Sequence, residues 1–221
     1  MSYFGTMNKL FENEYDITIE NLNYTQSYLD KIALEYNISN EEINLLPLGA
    51  FEGEIVVVED ADEARAAIRE ISHHRKVGFD TETKPVFVRG HFNKVAILQI
   101  ALPNKVFIFR LKATGVTPDM AGFLSDAGIE KVGVAVRDDI KALQHLHPFT
   151  PGGFIDLAPM AKAAGLEVES VKKLTGLLLG FRISKSAQTS NWEADVLNDK
   201  QISYAATDAW VCLQIYDVLR N

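Results

Sequence analysis

VGFDTET, residues 77–83, is a short apolar run that ends in two acidic residues, Asp80 and Glu82. The pattern is typical of a buried β-strand whose last residues are polar. Because side chains alternate along a strand, the two carboxylates share one face. Neighbouring carboxylates raise each other's pKa unless a cation lies between them, and Mg²⁺ or Mn²⁺ prefers oxygen ligands. The stretch therefore predicts either a divalent-metal site or a solvated strand end.

Short β-branched runs alternate with amphipathic helices on both sides of this strand, which indicates an α/β domain. Two strands are predicted directly after it, at 95–101 and 105–111, joined by a turn at Pro103 and Asn104. Three successive strands predict an antiparallel meander. The other predicted elements are strands at 54–58 and 131–136, a helix capped by Thr117 before Pro118, and helices over 62–73, 138–146, 157–164, 170–179 and 199–220.

The first 50 residues carry two lysines and eight acidic residues, a net charge of −6 out of −8 for the chain. Helical spacing of apolar residues over 25–36, and a capping-box pattern of Ser39 with Glu42, predict an acidic helical extension over 1–50. The main domain is expected over 51–221. Its charge is only −2, so the acidity of the chain does not exclude a nucleic-acid partner.

No apolar run approaches the roughly 18 residues that span a bilayer. Cys212 is the only cysteine, which excludes a disulfide within the chain. We therefore expect a soluble, cytoplasmic protein with a buried thiol and no membrane partner.

Two further acidic positions are candidate metal ligands. Asp138 and Asp139 follow the predicted strand at 131–136, where a helix N-cap is the commoner role. Asp208 follows Tyr204 by four residues on the last predicted helix, beside an apolar stripe where an unpaired carboxylate is costly. Its partner could be a metal, a lysine or an arginine, so each position alone leaves the function open.

Together these segments resemble the DEDD, or DnaQ-like, superfamily of 3′-to-5′ exonucleases, in the branch of ribonuclease D and the Werner-type exonucleases. The resemblance covers residues 54–220. Its first motif, D-x-E, is matched by Asp80 and Glu82, its second ends at Asp139, and its third, Y-x-x-x-D, is matched by Tyr204 and Asp208. The chain resembles the tyrosine type, because Ser203 stands where the histidine type carries histidine.

The resemblance implies a ribonuclease H-like mixed sheet, with the antiparallel meander and parallel strands flanked by helices. It also implies an exonuclease domain over 51–221 that hydrolyses terminal phosphodiesters at a free 3′ end of DNA or RNA and releases nucleoside 5′-monophosphates. Two Mg²⁺ or Mn²⁺ ions would be held by Asp80, Glu82, Asp139 and Asp208, and Asp80 would bridge both.

Tyr204 would orient the nucleophile, because a phenol is a hydrogen-bond partner more than a base at neutral pH. Thr83 and Lys84 are candidate contacts to the terminal nucleotide, and the loop after them adds Phe87, Arg89 and Phe92.

Two other functions compete with this one. Haloacid-dehalogenase phosphatases also place acidic residues at a strand end, but their pattern is D-x-D-x-T, and Glu82 and Thr83 depart from it. A catalytically silent nucleic-acid-binding or scaffold domain could keep the exonuclease fold, although it would have no need of four mutually repelling carboxylates.

Overall fold

Six strands form one mixed sheet in the order β1-β4-β3-β2-β5-β6. The computed structural model describes residues 37–85 and 93–220, so the predicted helix over 25–36 and Phe87, Arg89 and Phe92 lie outside the described residues. The strands are β1 (Glu54–Val58), β2 (Lys76–Thr83), β3 (Val95–Ala101), β4 (Lys105–Arg110), β5 (Glu130–Gly133) and β6 (Phe154–Asp156).

The predicted meander is confirmed. Strands β2, β3 and β4 pair antiparallel in sequence order, whereas β1 runs parallel to β4, β5 parallel to β2, and β6 parallel to β5. The strand predicted over 131–136 is too long. It ends at Gly133, because Ala135 takes a left-handed conformation (φ 55°) and Val136 begins the next helix.

Eight helices lie among the described residues: α1 (Asn40–Leu45), α2 (Ala61–Ile71), α3 (Leu111–Thr114), α4 (Pro118–Ser125), α5 (Val136–Leu146), α6 (Leu157–Ala163), α7 (Val171–Leu179) and α8 (Asp199–Arg220). The predicted capping box of Ser39 and Glu42 and the Thr117 cap are both present. The four-residue helix α3 was not predicted. No helix within 37–85 or 93–220 combines the length and the apolar character that crossing a membrane requires.

The two faces of β2 have different neighbours. Val77 and Phe79 point into a core built with helices α2, α4 and α5. The opposite face, which carries Asp80 and Glu82, is covered by α8. A Cβ at Gly78 would lie 2.0 Å from the carbonyl oxygen of Ala209, so the backbone of α8 rests directly on this strand. That close approach brings Asp208, the neighbour of Ala209, to the carboxylates of β2.

Residues 37–50 pack against the rest of the described chain. Ile38, Ile43 and Leu46 are buried in one apolar cluster with Leu174 and Leu177 of α7. After α1 the segment pairs with Arg182 through two backbone hydrogen bonds, from Gly49 N to Arg182 O (2.9 Å) and from Arg182 N to Pro47 O (2.8 Å). The division of the chain at residue 51 stays a prediction, and this part of the acidic segment shares the core of the domain.

Candidate active site at the end of β2

Three carboxylates meet where β2 passes under α8. Asp80, Glu82 and Asp208 each place a carboxylate oxygen within 4.8 Å of the other two. Strand alternation puts Asp80 and Glu82 on the same face, and a register shift between Glu82 and Thr83 interrupts the ladder at this point. Such bulges re-aim side chains beside functional sites. The sequence prediction that these three residues share a site agrees with this geometry.

Asp139 lies beside this group but outside it. It sits in the first turn of α5 and accepts a hydrogen bond from Thr81 Oγ1, the side chain between the two acids of β2. The N-cap interpretation of Asp138 and Asp139 is wrong, because Ala135 occupies the cap position without a side-chain bond. Asp138 instead forms an exposed ion pair with Lys141 at 3.0 Å.

Asp156 fixes the junction from which α5 starts. Its Oδ1 accepts hydrogen bonds from the backbone N–H groups of Ala135 and Ala158, each at 3.0 Å. Asp156 is also the N-cap of α6. A left-handed alanine is sterically unfavourable, so the bond to Ala135 N helps to hold the turn that delivers Asp139.

Burial raises the pKa of all four acids, and neighbouring negative charges raise those of Asp80, Glu82 and Asp139 further. Burial contributes most, and it raises the pKa of Asp80 well above its usual range, with further contributions from Asp208, Glu82 and Asp139. The pKa of Glu82 rises to about 8, that of Asp208 to about 7 and that of Asp139 to about 6. A cation bound between these groups would stabilise their ionised forms, so the site favours cation binding.

The donor set fits a hard divalent ion. Asp208 Oδ1 is buried without a hydrogen-bond partner among the described residues, and no described lysine or arginine forms a salt bridge with Asp80, Glu82 or Asp208. Oxygen-only ligands of this kind suit Mg²⁺ or Mn²⁺. Within residues 37–85 and 93–220, therefore, no lysine or arginine is the partner that the sequence left open for Asp208.

Gln99 is a buried polar residue that the sequence patterns did not identify. It lies directly opposite Asp80 in the β2–β3 pairing, is fully buried, and neither end of its amide has a hydrogen-bond partner in the described structure. Gln99 could have been identified from the sequence because it is the single polar residue of VAILQIA, an otherwise apolar strand.

Tyr204 stands one helical turn before Asp208 on α8, and its side chain interacts electrostatically with the Asp208 carboxylate. Burial, followed by the charges of Asp208 and Glu82, raises the pKa of Tyr204 above its ordinary value, so the phenol stays protonated at neutral pH. Trp192 packs against this ring, with 5.9 Å between the centroids, and is 1% exposed, as expected for a core anchor.

The carboxylates open onto a groove of about 710 Å³. Tyr204 lines it as well, and so do the start of α7 and residues 183–185, which include Lys172, Lys173 and Lys185. Thr83 and Lys84 are not among the described lining residues, and Lys84 pairs with Glu193 at 3.5 Å. No sequence pattern had singled out Lys172 or Lys173 as a substrate contact.

The acid cluster predicts how the stability of the metal-free protein depends on pH. The folded-state pKa values of about 6 to about 8 exceed the value near 4 of an unfolded carboxyl group. Between these limits the folded state binds more protons, so the free energy of unfolding falls as pH rises. We expect the thermal midpoint in EDTA, measured by circular dichroism, to fall from about pH 6 to about pH 8. Glu82→Gln should show a shallower fall, and equal slopes would contradict the interpretation.

The comparisons with known proteins agree with this geometry. A family model described as 3'-5' exonuclease matches residues 55–221. The chain belongs to the 3'-5' exonuclease family. Its members include the mouse (Mus musculus) bifunctional 3'-5' exonuclease/ATP-dependent helicase WRN, which is 31% identical over 186 residues, 80% of this chain and 13% of WRN. Ribonuclease D of Gluconacetobacter diazotrophicus is 26% identical over 166 residues, 74% of this chain and 42% of that enzyme.

The fold of this exonuclease family is also seen in solved structures. The crystal structure of Trypanosoma brucei RNase D in complex with RNA U12 superposes with a TM-score of 0.68 at 20% identity, covering 84% of this chain and 66% of that one. These matches confirm the predicted superfamily, its ribonuclease D and Werner-type branch, and the mixed sheet flanked by helices. The chain spans less than half the length of both curated relatives, 13% of one and 42% of the other.

Proposed function

We propose that this chain is a metal-dependent 3′-to-5′ exonuclease that removes nucleoside 5′-monophosphates from a free 3′ end of DNA or RNA. One observation carries the proposal. Asp80, Glu82 and Asp208 converge to within 4.8 Å at the floor of an open groove, in a chain that belongs to the exonuclease family.

Asp80, Glu82 and Asp208 would hold the divalent ions, and we propose two of them, with Asp139 as the fourth ligand. Bound Mg²⁺ or Mn²⁺ would supply a water of lowered pKa and positive charge against the phosphate. Thr81 holds Asp139 at the edge of the cluster through its hydroxyl hydrogen bond, so Asp139 keeps one carboxylate oxygen free of that bond. Asp208 is buried and the other three acids are half-buried, which reduces the solvent screening of their attraction for cations.

Tyr204 contributes a protonated hydroxyl at the same point. Because its pKa is raised, it can donate a hydrogen bond but cannot act as a base near neutral pH. Tyr204 lines the same groove as Asp80, Glu82 and Asp208, one helical turn from Asp208. We propose that it orients the attacking water or a phosphate oxygen, and that Thr83 and Lys84 contact the terminal nucleotide beyond it.

The substrate could be either nucleic acid. The relative with RNA U12 in its structure supports RNA, and no described residue of this groove selects visibly for or against a 2′-hydroxyl.

The test uses 5′-labelled single-stranded DNA and RNA with Mg²⁺, Mn²⁺ or EDTA. We expect a ladder that shortens stepwise from the 3′ end, is abolished by EDTA, and yields products that co-migrate with 5′-monophosphates on chromatography. Circular single-stranded DNA, which has no 3′ end, should survive. Cleavage of the circle would indicate an endonuclease, phosphate release from a small monoester would indicate a phosphatase, and binding without any hydrolysis would indicate a silent nucleic-acid-binding domain.

A further inference from the structure

Three lysines line the same groove as the carboxylates. Lys172 and Lys173 lie in the first turn of α7, and Lys185 lies on the segment that follows this helix. None of the three forms a salt bridge with a described residue. Glu169 also lines the groove, so this part of the groove is basic with one acid.

The ammonium groups of Lys172 and Lys173 each donate a hydrogen bond to a side-chain amide. Lys172 Nζ donates to Asn40 Oδ1 at 2.9 Å, and Lys173 Nζ donates to Asn37 Oδ1 at 3.3 Å. Both acceptors are neutral amides from the segment before and at the start of α1. The lysines are therefore oriented by hydrogen bonds while their charge stays uncompensated.

Lys172 and Lys185 line the same groove. The neighbouring charge of Lys185, together with partial burial, lowers the pKa of Lys172 to about 8; Glu41 opposes this shift and Lys173 adds to it. The start of a helix is also an unfavourable place for a cation, because the helix dipole is positive there. An anion between Lys172 and Lys185 would relieve both costs.

The groove thus has two complementary parts. The acids Asp80, Glu82 and Asp208 would bind cations, and the lysines Lys172 and Lys185 would bind an anion. We propose that Lys172 and Lys185 bind a backbone phosphate of the substrate strand other than the scissile one, and so hold the strand in register while its 3′ end lies at Asp80, Glu82 and Asp208. This inference rests on the proposed function for the identity of the strand. It assigns the lysines to substrate positioning and gives them no part in the chemistry.

A substrate with a single phosphate tests the contribution of the acids separately from that of the lysines. The 4-nitrophenyl ester of thymidine 5′-monophosphate carries a scissile phosphodiester and no second phosphate, whereas a single-stranded oligonucleotide carries both. For K172A/K185A we expect kcat/KM on the oligonucleotide to fall about tenfold or more, mainly through KM. The loss on the ester should stay within about twofold. The slope of log(kcat/KM) against log[salt] should also become shallower by about 0.7 for each lysine removed.

Two variants complete the comparison. Lys112→Ala removes the same charge at an exposed position outside the groove, where Lys112 lies 3.7 Å from Asp195, and it should leave the oligonucleotide KM unchanged. Lys185→Arg keeps the charge and should retain most of the oligonucleotide activity. Equal losses of K172A/K185A on both substrates, or no loss on the oligonucleotide, would overturn the inference.

A binding measurement tests the lysine site even if the proposed function is wrong. If the wild-type chain hydrolyses neither substrate, the exonuclease proposal is wrong. Anisotropy of a fluorescent single-stranded oligonucleotide still reports the lysine site. We then expect K172A/K185A to bind about tenfold more weakly than wild type and Lys112→Ala to bind equally well. Equal affinity of K172A/K185A and wild type would overturn the lysine site.

Discussion

Asp80→Asn is expected to abolish hydrolysis while making the metal-free protein more stable. Asp80 belongs to the group of three acids and feels the charges of Asp208, Glu82 and Asp139. Replacing its carboxylate by an amide removes a ligand that metal-assisted hydrolysis requires, so we expect kcat to fall at least about a thousandfold. Relief of the repulsion should raise the thermal midpoint in EDTA by roughly 2–4 °C, which corresponds to about 1 kcal/mol.

The control for this experiment is Asp138→Asn. Asp138 is an acid next to Asp139 in sequence, but it is exposed and paired with Lys141. The same chemical change there should alter neither the activity nor the midpoint appreciably. Mg²⁺ should stabilise wild type more than Asp80→Asn, because an ion bound to the folded state shifts the unfolding equilibrium. Near-normal activity of Asp80→Asn would remove Asp80 from the site, and a lower midpoint in EDTA would contradict the repulsion.

Gly78→Ala should have the second large effect, through the position of α8. The new Cβ would lie 2.0 Å from Ala209 O and 3.1 Å from the Cβ of Ala101, and the first of these contacts is with backbone. The helix must therefore move away from β2, at a cost of roughly 2–4 kcal/mol. Since Asp208 adjoins Ala209, the shift should also spread the carboxylates and lower kcat about a hundredfold.

Gly122→Ala is the matched control. Gly122 lies within α4, and a Cβ there would meet nothing within 4 Å. Alanine is the better helix former, so this variant should gain about 0.5–1 kcal/mol. Urea unfolding measures both variants. A Gly78→Ala protein as stable as wild type would show that α8 does not rest on β2 in solution.

The sequence predicted most of the elements because their signals are local. Strand β2 ends in carboxylates that strand alternation assigns to one face, and the Ser39 capping box and the Thr117 cap depend only on residues within one helical turn. The end of β5 was missed because it depends on Ala135, whose left-handed conformation is supported by Asp156. That partner lies 21 residues further along the chain, so no local pattern contains it.

The same distinction between local patterns and long-range contacts applies to the candidate site. By itself the sequence determined which acids are available, because D-x-E and Y-x-x-x-D are spacings within a single strand or helix. Only the tertiary structure decided that Asp208 joins Asp80 and Glu82 within 4.8 Å while Asp139 is tied to Thr81. It also placed Lys172 and Lys185 in the groove that the acids line. The physical reason is that these distances depend on how closely α8 rests on Gly78 and how residues 37–50 pack on α7, and such contacts join residues far apart in the chain.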